Sequence, residues 1–169
     1  MAAGDTASIA QALVDALAPV LGADACYLSF WNAARGAAEP AAALGPHRGD
    51  YRGFRVEPGE RNLTAKVVAE RVTIKVEDAL RSEYVSERIA RYFNAGAFLA
   101  LPLVLDGKAL GAVILAFSKA RSFSDDDLAR AERAARVASF AVSRSRLLDE
   151  ERRRTEELAA LNSIGIAIN

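Results

Sequence analysis

Apolar side chains at Ile9, Leu13 and Leu17, flanked by Val14 and Leu21, recur at the interval of a helix, which the pattern places over residues 6–21. Gly22 follows as a stop signal, and Pro19 should distort the last turn. The period then changes to two. Residues 25–31 read as a strand, with Cys26, Leu28 and Phe30 on one face and Tyr27, Ser29 and Trp31 on the other. Arg35-Gly36 marks a turn, residues 39–44 a short alanine-rich return strand, and residues 45–49 a loop. Alternation over 51–56 predicts a further short strand, closed by Pro58-Gly59. Leu63, Val67 and Val68 predict a helix over 62–71, and the β-branched run 72–76 predicts a strand. Tyr84, Val85, Ile89, Tyr92 and Phe93 form a helical stripe over 82–94, with Gly96 just past its end.

The second half is plainer. Residues 97–105 and 110–117 are apolar and are joined across Asp106-Gly107, a strong hairpin signal. Adjacent strands without polar alternation belong at the centre of a sheet covered on both faces. Ser124 is placed to cap a helix with Asp125, Asp126 and Asp127 in its first turn and Phe123 against Leu128 as a staple. From there to Ser163 the chain has neither Gly nor Pro, about 40 residues that make a rod of about 60 Å at ~1.5 Å each. Leu128, Ala131, Ala135, Ala138, Val142 and Leu148 give its first part, 128–148, a sheet-facing stripe. Residues 149–157 have no apolar residue, and their five acids and three arginines leave a net charge of −2. A heptad phase through Leu147, Arg154, Leu161 and Ile168, with Glu151 and Leu158, predicts a weak coiled coil carrying charge at two core positions.

Composition narrows the function. The 169 residues suit one domain with an appended segment, and 36 alanines inflate the hydrophobic fraction of 51%. Equal numbers of basic and acidic residues, 22 each, remove the basic footprint of a nucleic-acid binder. One Cys and one His exclude a disulfide framework, a cysteine-rich zinc site and a His-His metal motif. They also leave no nucleophile–base pair to assemble, so no catalytic and no metal-ligating residue is assigned. No apolar run approaches the ~18 residues of a membrane span, and no secretory leader opens the chain. The expectation is a soluble cytoplasmic protein without membrane contact.

The order of elements gives an α+β fold with helices on both faces of a sheet. At this level the chain resembles the GAF family of small-molecule sensor domains. The resemblance rests on Leu21-Gly-Ala-Asp-Ala-Cys26 leading into the first strand and Pro58-Gly-Glu-Arg-Asn-Leu63 opening a helix. It continues through Val72-Thr-Ile-Lys-Val-Glu-Asp78, Leu99-Ala-Leu-Pro-Leu103, Leu110-Gly-Ala-Val-Ile-Leu115 and Phe123-Ser-Asp-Asp-Asp-Leu128. It implies a six-stranded antiparallel sheet, the first and last helices on one face, and a ligand pocket under the middle helices on the other. It further implies a sensor domain over 1–148, a connector over 149–169, and dimerisation along the terminal helix, for which the heptad phase offers Leu147, Leu158, Leu161 and Ile168. That helix would relay signal to an absent output, such as a histidine kinase, a cyclic-dinucleotide enzyme or a transcriptional domain.

Within that frame the candidate pocket residues are Tyr27, Ser29 and Trp31 on the first strand, His47 after the second, and Asn62 and Thr64 at a helix start. Arg88, Arg91, Tyr92, Asn94 and Phe98 complete the set, with the arginines and Asn94 offering donors to a polar or anionic ring-bearing ligand. His47 also reads as an exposed loop histidine and Cys26 as a buried thiol. A lone Cys26 does not support the methionine sulfoxide reductase branch of the family. No Cys-His pair supports a bilin, His47 alone does not support haem, and the cyclic-nucleotide signature of the phosphodiesterase members is missing. The cofactor is therefore unknown. The competing reading is a ligand-free structural dimerisation module whose pocket is filled by its own aromatic side chains.

Overall fold

A computed structural model describes residues 5–168. Strands β1 (Ala25–Asn32), β2 (Ala37–Leu44), β3 (Ile74–Val76), β4 (Ala97–Leu105) and β5 (Lys108–Phe117) form one sheet in the order β2-β1-β5-β4-β3, every neighbouring pair antiparallel. The helices are α1 (Asp5–Leu21), α2 (Leu63–Glu70), α3 (Glu87–Tyr92) and α4 (Asp125–Ile168). The Asp106-Gly107 hairpin forms as expected, with φ of 50° and 75° at its two central residues.

The sheet has five strands, not six. Residues 51–56 do not form the expected strand. Asp50 and Tyr51 carbonyls accept from the Gly53 and Phe54 N–H groups, winding Tyr51–Gly53 into a 3-10 turn that buries the Tyr51 ring. The backbone groups a ladder would need are thus spent locally. Arg52 Nε instead donates to the Ala41 carbonyl at 2.9 Å, opposite the register shift where β2 carries Pro40. The predicted helix over 82–94 is likewise shorter. Ser82 Oγ takes the Tyr84 N–H and Ser86 Oγ takes the Ile89 N–H, so the helix begins only at Glu87. Pro19 is accommodated inside α1, close enough to its end that the missing N–H costs one bond before Gly22 closes the helix at φ 64°.

Alternation in side-chain size sorts the two faces. Leu99, Leu101 and Leu103 of β4 and Val113, Leu115 and Phe117 of β5 pack with Cys26 and Leu28 under α1 and α4. The opposite face carries Ala100, Ala112 and Ala116 in the same strands, beneath α2 and α3. Large side chains therefore fill the helix-paired side, and small ones leave depth on the other. Gly111 lets β5 approach β1 closely: a Cβ there would lie 2.1 Å from the Ser29 carbonyl oxygen.

The 44-residue α4 begins with Ser124 Oγ accepting from the Asp127 N–H, as the capping pattern predicts. Its buried row is Ala131, Ala135, Ala138, Ser139, Val142 and Ser145; Leu148, expected in that row, is instead substantially exposed. At Asp149 the carboxylate takes the Thr6 N–H and hydroxyl, fastening the start of α1. Residues 150–168 are exposed throughout. No helix is long and apolar enough to cross a membrane among the described residues.

Candidate functional site

On the small-residue face lies a cavity of about 280 Å³. Tyr27, Ser29 and Trp31 of β1, Phe98 of β4 and Ile114 of β5 form its floor, and the β2 hairpin from Gly36 to Pro40 closes one side. Phe54–Val56, the α2 start at Asn62–Ala65, and Val85, Ile89 and Phe93 form the roof. Six of the expected residues thus meet at one cavity: Tyr27, Ser29, Trp31, Asn62, Thr64 and Phe98. Three of them come from one face of β1, two from the α2 start and one from β4.

The other five lie off the cavity. Arg88 does not line it: its Nε and Nη2 hold both oxygens of Glu60 at 2.8 and 2.6 Å, and its guanidinium covers the Phe54 ring from 5.5 Å. Glu60 also accepts from Ser86 Oγ and the Glu57 N–H, and these donors, Arg88 first, bring its carboxyl down to about 2. Arg91 is an exposed partner of Glu87 one turn away. Asn94 takes the left-handed conformation, φ 47°, that ends α3, and the Ala95 N–H returns to the Ala90 carbonyl. His47 and Tyr92 belong to a clasp behind the roof. Their rings stack at 4.4 Å, His47 Nε2 meets the Tyr92 carbonyl at 2.9 Å, and the Tyr92 hydroxyl donates to Asp50 at 2.9 Å. That hydroxyl, with His47, holds the Asp50 carboxyl below the usual carboxylate range.

Several lining residues lie outside the expected set. Tyr51, Phe54 and Phe93 converge from a turn, a loop and a helix end, with the Tyr27 ring 4.9 Å from Tyr51 and 4.6 Å from Phe93. Tyr51 and Ser29 share a hydrogen bond of 2.7 Å in the floor. Burial pushes the Tyr51 and Tyr27 phenols well above their ordinary range, so both remain neutral donors. The Tyr27 hydroxyl is buried with no hydrogen-bond partner among the described residues. Arg55 is the one charged residue among the lining residues described, and it is exposed at the rim, its Nη1 spent on the Arg52 and Phe54 carbonyls. On the far side of the sheet, burial raises the Cys26 thiol far above its ordinary range, which keeps it protonated and inert. Among the described residues no three His, Cys, Asp or Glu side chains gather as a metal site.

The sequence profile described as the GAF domain matches residues 3–143. The chain belongs to the GAF domain family. Solved structures agree on the fold. A GAF domain from a Coxiella burnetii phosphoenolpyruvate-protein phosphotransferase superposes with a TM-score of 0.75 at 21% identity, covering 88% of this chain and 89% of that one. A GAF domain/HD domain protein from Geobacter sulfurreducens gives 0.72 at 21% identity, with 85% and 95% covered. Residues 122 to 287 of a methyl-accepting chemotaxis protein give 0.70 at 24% identity, with 85% and 92% covered. No curated protein sequence matches the chain. GAF domains are generally regulatory modules of larger signalling proteins, and this chain has the GAF fold with an antiparallel sheet and a long C-terminal helix.

Proposed function

We propose that this GAF domain is a non-catalytic sensor: a small molecule enters the cavity over β1, and α4 relays the occupied state through a dimer to an output domain. The observation that carries this reading is the cavity itself, about 280 Å³ on a face where alanines replace the leucines of the opposite side. The relay is supported by Arg146 of α4, whose guanidinium sits 4.5 Å over the Phe30 ring and donates to the Leu110 carbonyl. Phe30 lies between Ser29 and Trp31, which line the cavity on the other face of the same strand. The dimer is supported by an exposed seam. Val137, Phe140 and Leu147 continue backwards, at heptad spacing, the phase of Leu158, Leu161 and Ile168, and all six are exposed. The dimer surface thus begins on the docked half of α4, ten residues before Leu147.

The test combines native mass spectrometry for a retained ligand with spin-label distances. A nitroxide at Thr155→Cys labels the rod alone, because Cys26 is fully buried. Ligand addition is expected to shift the distance between the two labels. Identical distance distributions with and without ligand would sink the relay. The alternative of a ligand-free dimerisation module draws on the ring cluster of Tyr27, Tyr51 and Phe93, which fills part of the face. It forecasts no retained mass and an unshifted distance.

A further inference from the structure

The proposed sensor role leaves open which chemistry the cavity selects, and the arrangement of charge around it decides this. Among the described lining residues there is no buried cation for an anion to meet. Arg88 is committed to both oxygens of Glu60 and Arg91 to Glu87. Arg55 is exposed, with its Nη1 already donating to two carbonyls. The α2 start, the remaining positive feature, is capped by Asn62, whose Oδ1 already takes the Ala65 N–H at 2.8 Å. A carboxylate or phosphate moved onto the aromatic floor would lose its hydration with no buried cation to replace it.

The floor carries three hydroxyls: that of Tyr27, which has no partner among the described residues, and the bonded pair of Ser29 and Tyr51. Ser29 and Tyr51 are both nearly fully buried, line the cavity and bond to each other at 2.7 Å. Two hydroxyls carry two hydrogens, and their mutual bond uses one. The pair therefore retains one donor, together with oxygen lone pairs, for a single polar atom of a guest. Volume sets the size. A cavity of about 150 Å³ accommodates benzene, so one of about 280 Å³ takes a bicyclic molecule of roughly ten to thirteen heavy atoms.

We infer that the cavity selects a neutral, planar, mostly apolar molecule of bicyclic size, with a polar atom that meets the Ser29–Tyr51 hydroxyl pair. This rests on the sensor reading and sharpens it, replacing the anionic ligand that the sequence suggests.

Three bicyclic probes of ten to thirteen heavy atoms test it by calorimetric titration of the whole chain: naphthalene, quinoline, which has a ring-nitrogen acceptor, and 2-naphthoate, which adds a charged carboxylate. Both neutral probes are expected to bind at least about tenfold more tightly than 2-naphthoate. Tyr51→Phe is expected to weaken quinoline about fivefold, the worth of a hydrogen bond, and to leave naphthalene unchanged. Ser29→Ala serves as the second variant and should act in the same direction. If 2-naphthoate binds as well as or better than the neutral pair, the charge selection is overturned. If both variants weaken naphthalene and quinoline alike, the hydroxyl pair only shapes the wall, and its recognition role is overturned. If no probe binds while the native mass spectrum shows a retained ligand, this inference fails and the sensor reading stands. No binding together with no retained mass removes both.

Discussion

Two tyrosines on one cavity floor should answer the same substitution in opposite ways. The Tyr27 hydroxyl is buried without a partner, whereas that of Tyr51 bonds Ser29. Tyr27→Phe removes an unsatisfied polar group and is expected to raise stability by about 1 kcal/mol, while Tyr51→Phe strands the Ser29 hydroxyl and should lower it by about as much. Chemical denaturation of the two variants measures the contrast. Glu60 supplies a pH signature. Its folded-state carboxyl is held down to about 2 against an ordinary 4.5, so its contribution is complete above about 4.5 and is lost as pH falls towards 2. Glu60→Gln should cost about 1–2 kcal/mol at pH 7 and flatten the acid limb of stability between those values, as read from denaturation midpoints against pH. At this scale the sequence disclosed Ser29 and Trp31 because a strand's period sets which face a side chain takes. It misassigned Arg88 because Glu60, the partner that neutralises the guanidinium, lies 28 residues away and no local pattern joins them. Asn94 was misread because its use is conformational, at a positive φ, rather than chemical.

Elements were legible where several local cues agreed. The 106–107 turn, the apolar strands beside it and the Ser124 cap each pointed one way, and each element formed there. The disagreements fall where a short side chain or a carbonyl competes for the backbone. Asp50 and Tyr51 carbonyls wind a turn out of a strand-like pattern, and Ser82 and Ser86 delay α3 until Glu87. The sequence pattern of β4 and β5 is uniformly apolar, and it is the large–small alternation within it that determines which face is packed solid and which holds the cavity. The close approach of β1 and β5 rests on Gly111. Gly111→Ala must push the Ser29 carbonyl away and is expected to cost about 1–3 kcal/mol, by thermal melting, and to weaken ligand retention because Ser29 moves with it.

For the whole molecule, the first 149 residues and the exposed rod should be separable in their effects. Leu158→Asp combined with Leu161→Asp is expected to convert a dimer to a monomer in light scattering while leaving melting temperature and probe binding unchanged, because neither side chain touches the sheet. The fold class and the protruding helix could be read from the sequence. The exposure of Val137 and Phe140 could not, since it depends on which side of α4 the sheet occupies. Asp149, tied to Thr6, marks the point where α4 leaves its support. From there to Ile168 the helix runs about 29 Å at ~1.5 Å per residue. In the proposed relay it would act as a lever with its fulcrum at the α1 start. A tilt of about 5° at that fulcrum would swing Ile168 by about 2.5 Å. Under that proposal, distance from the fulcrum sets the gain with which a slight movement at the sheet reaches a point along the rod.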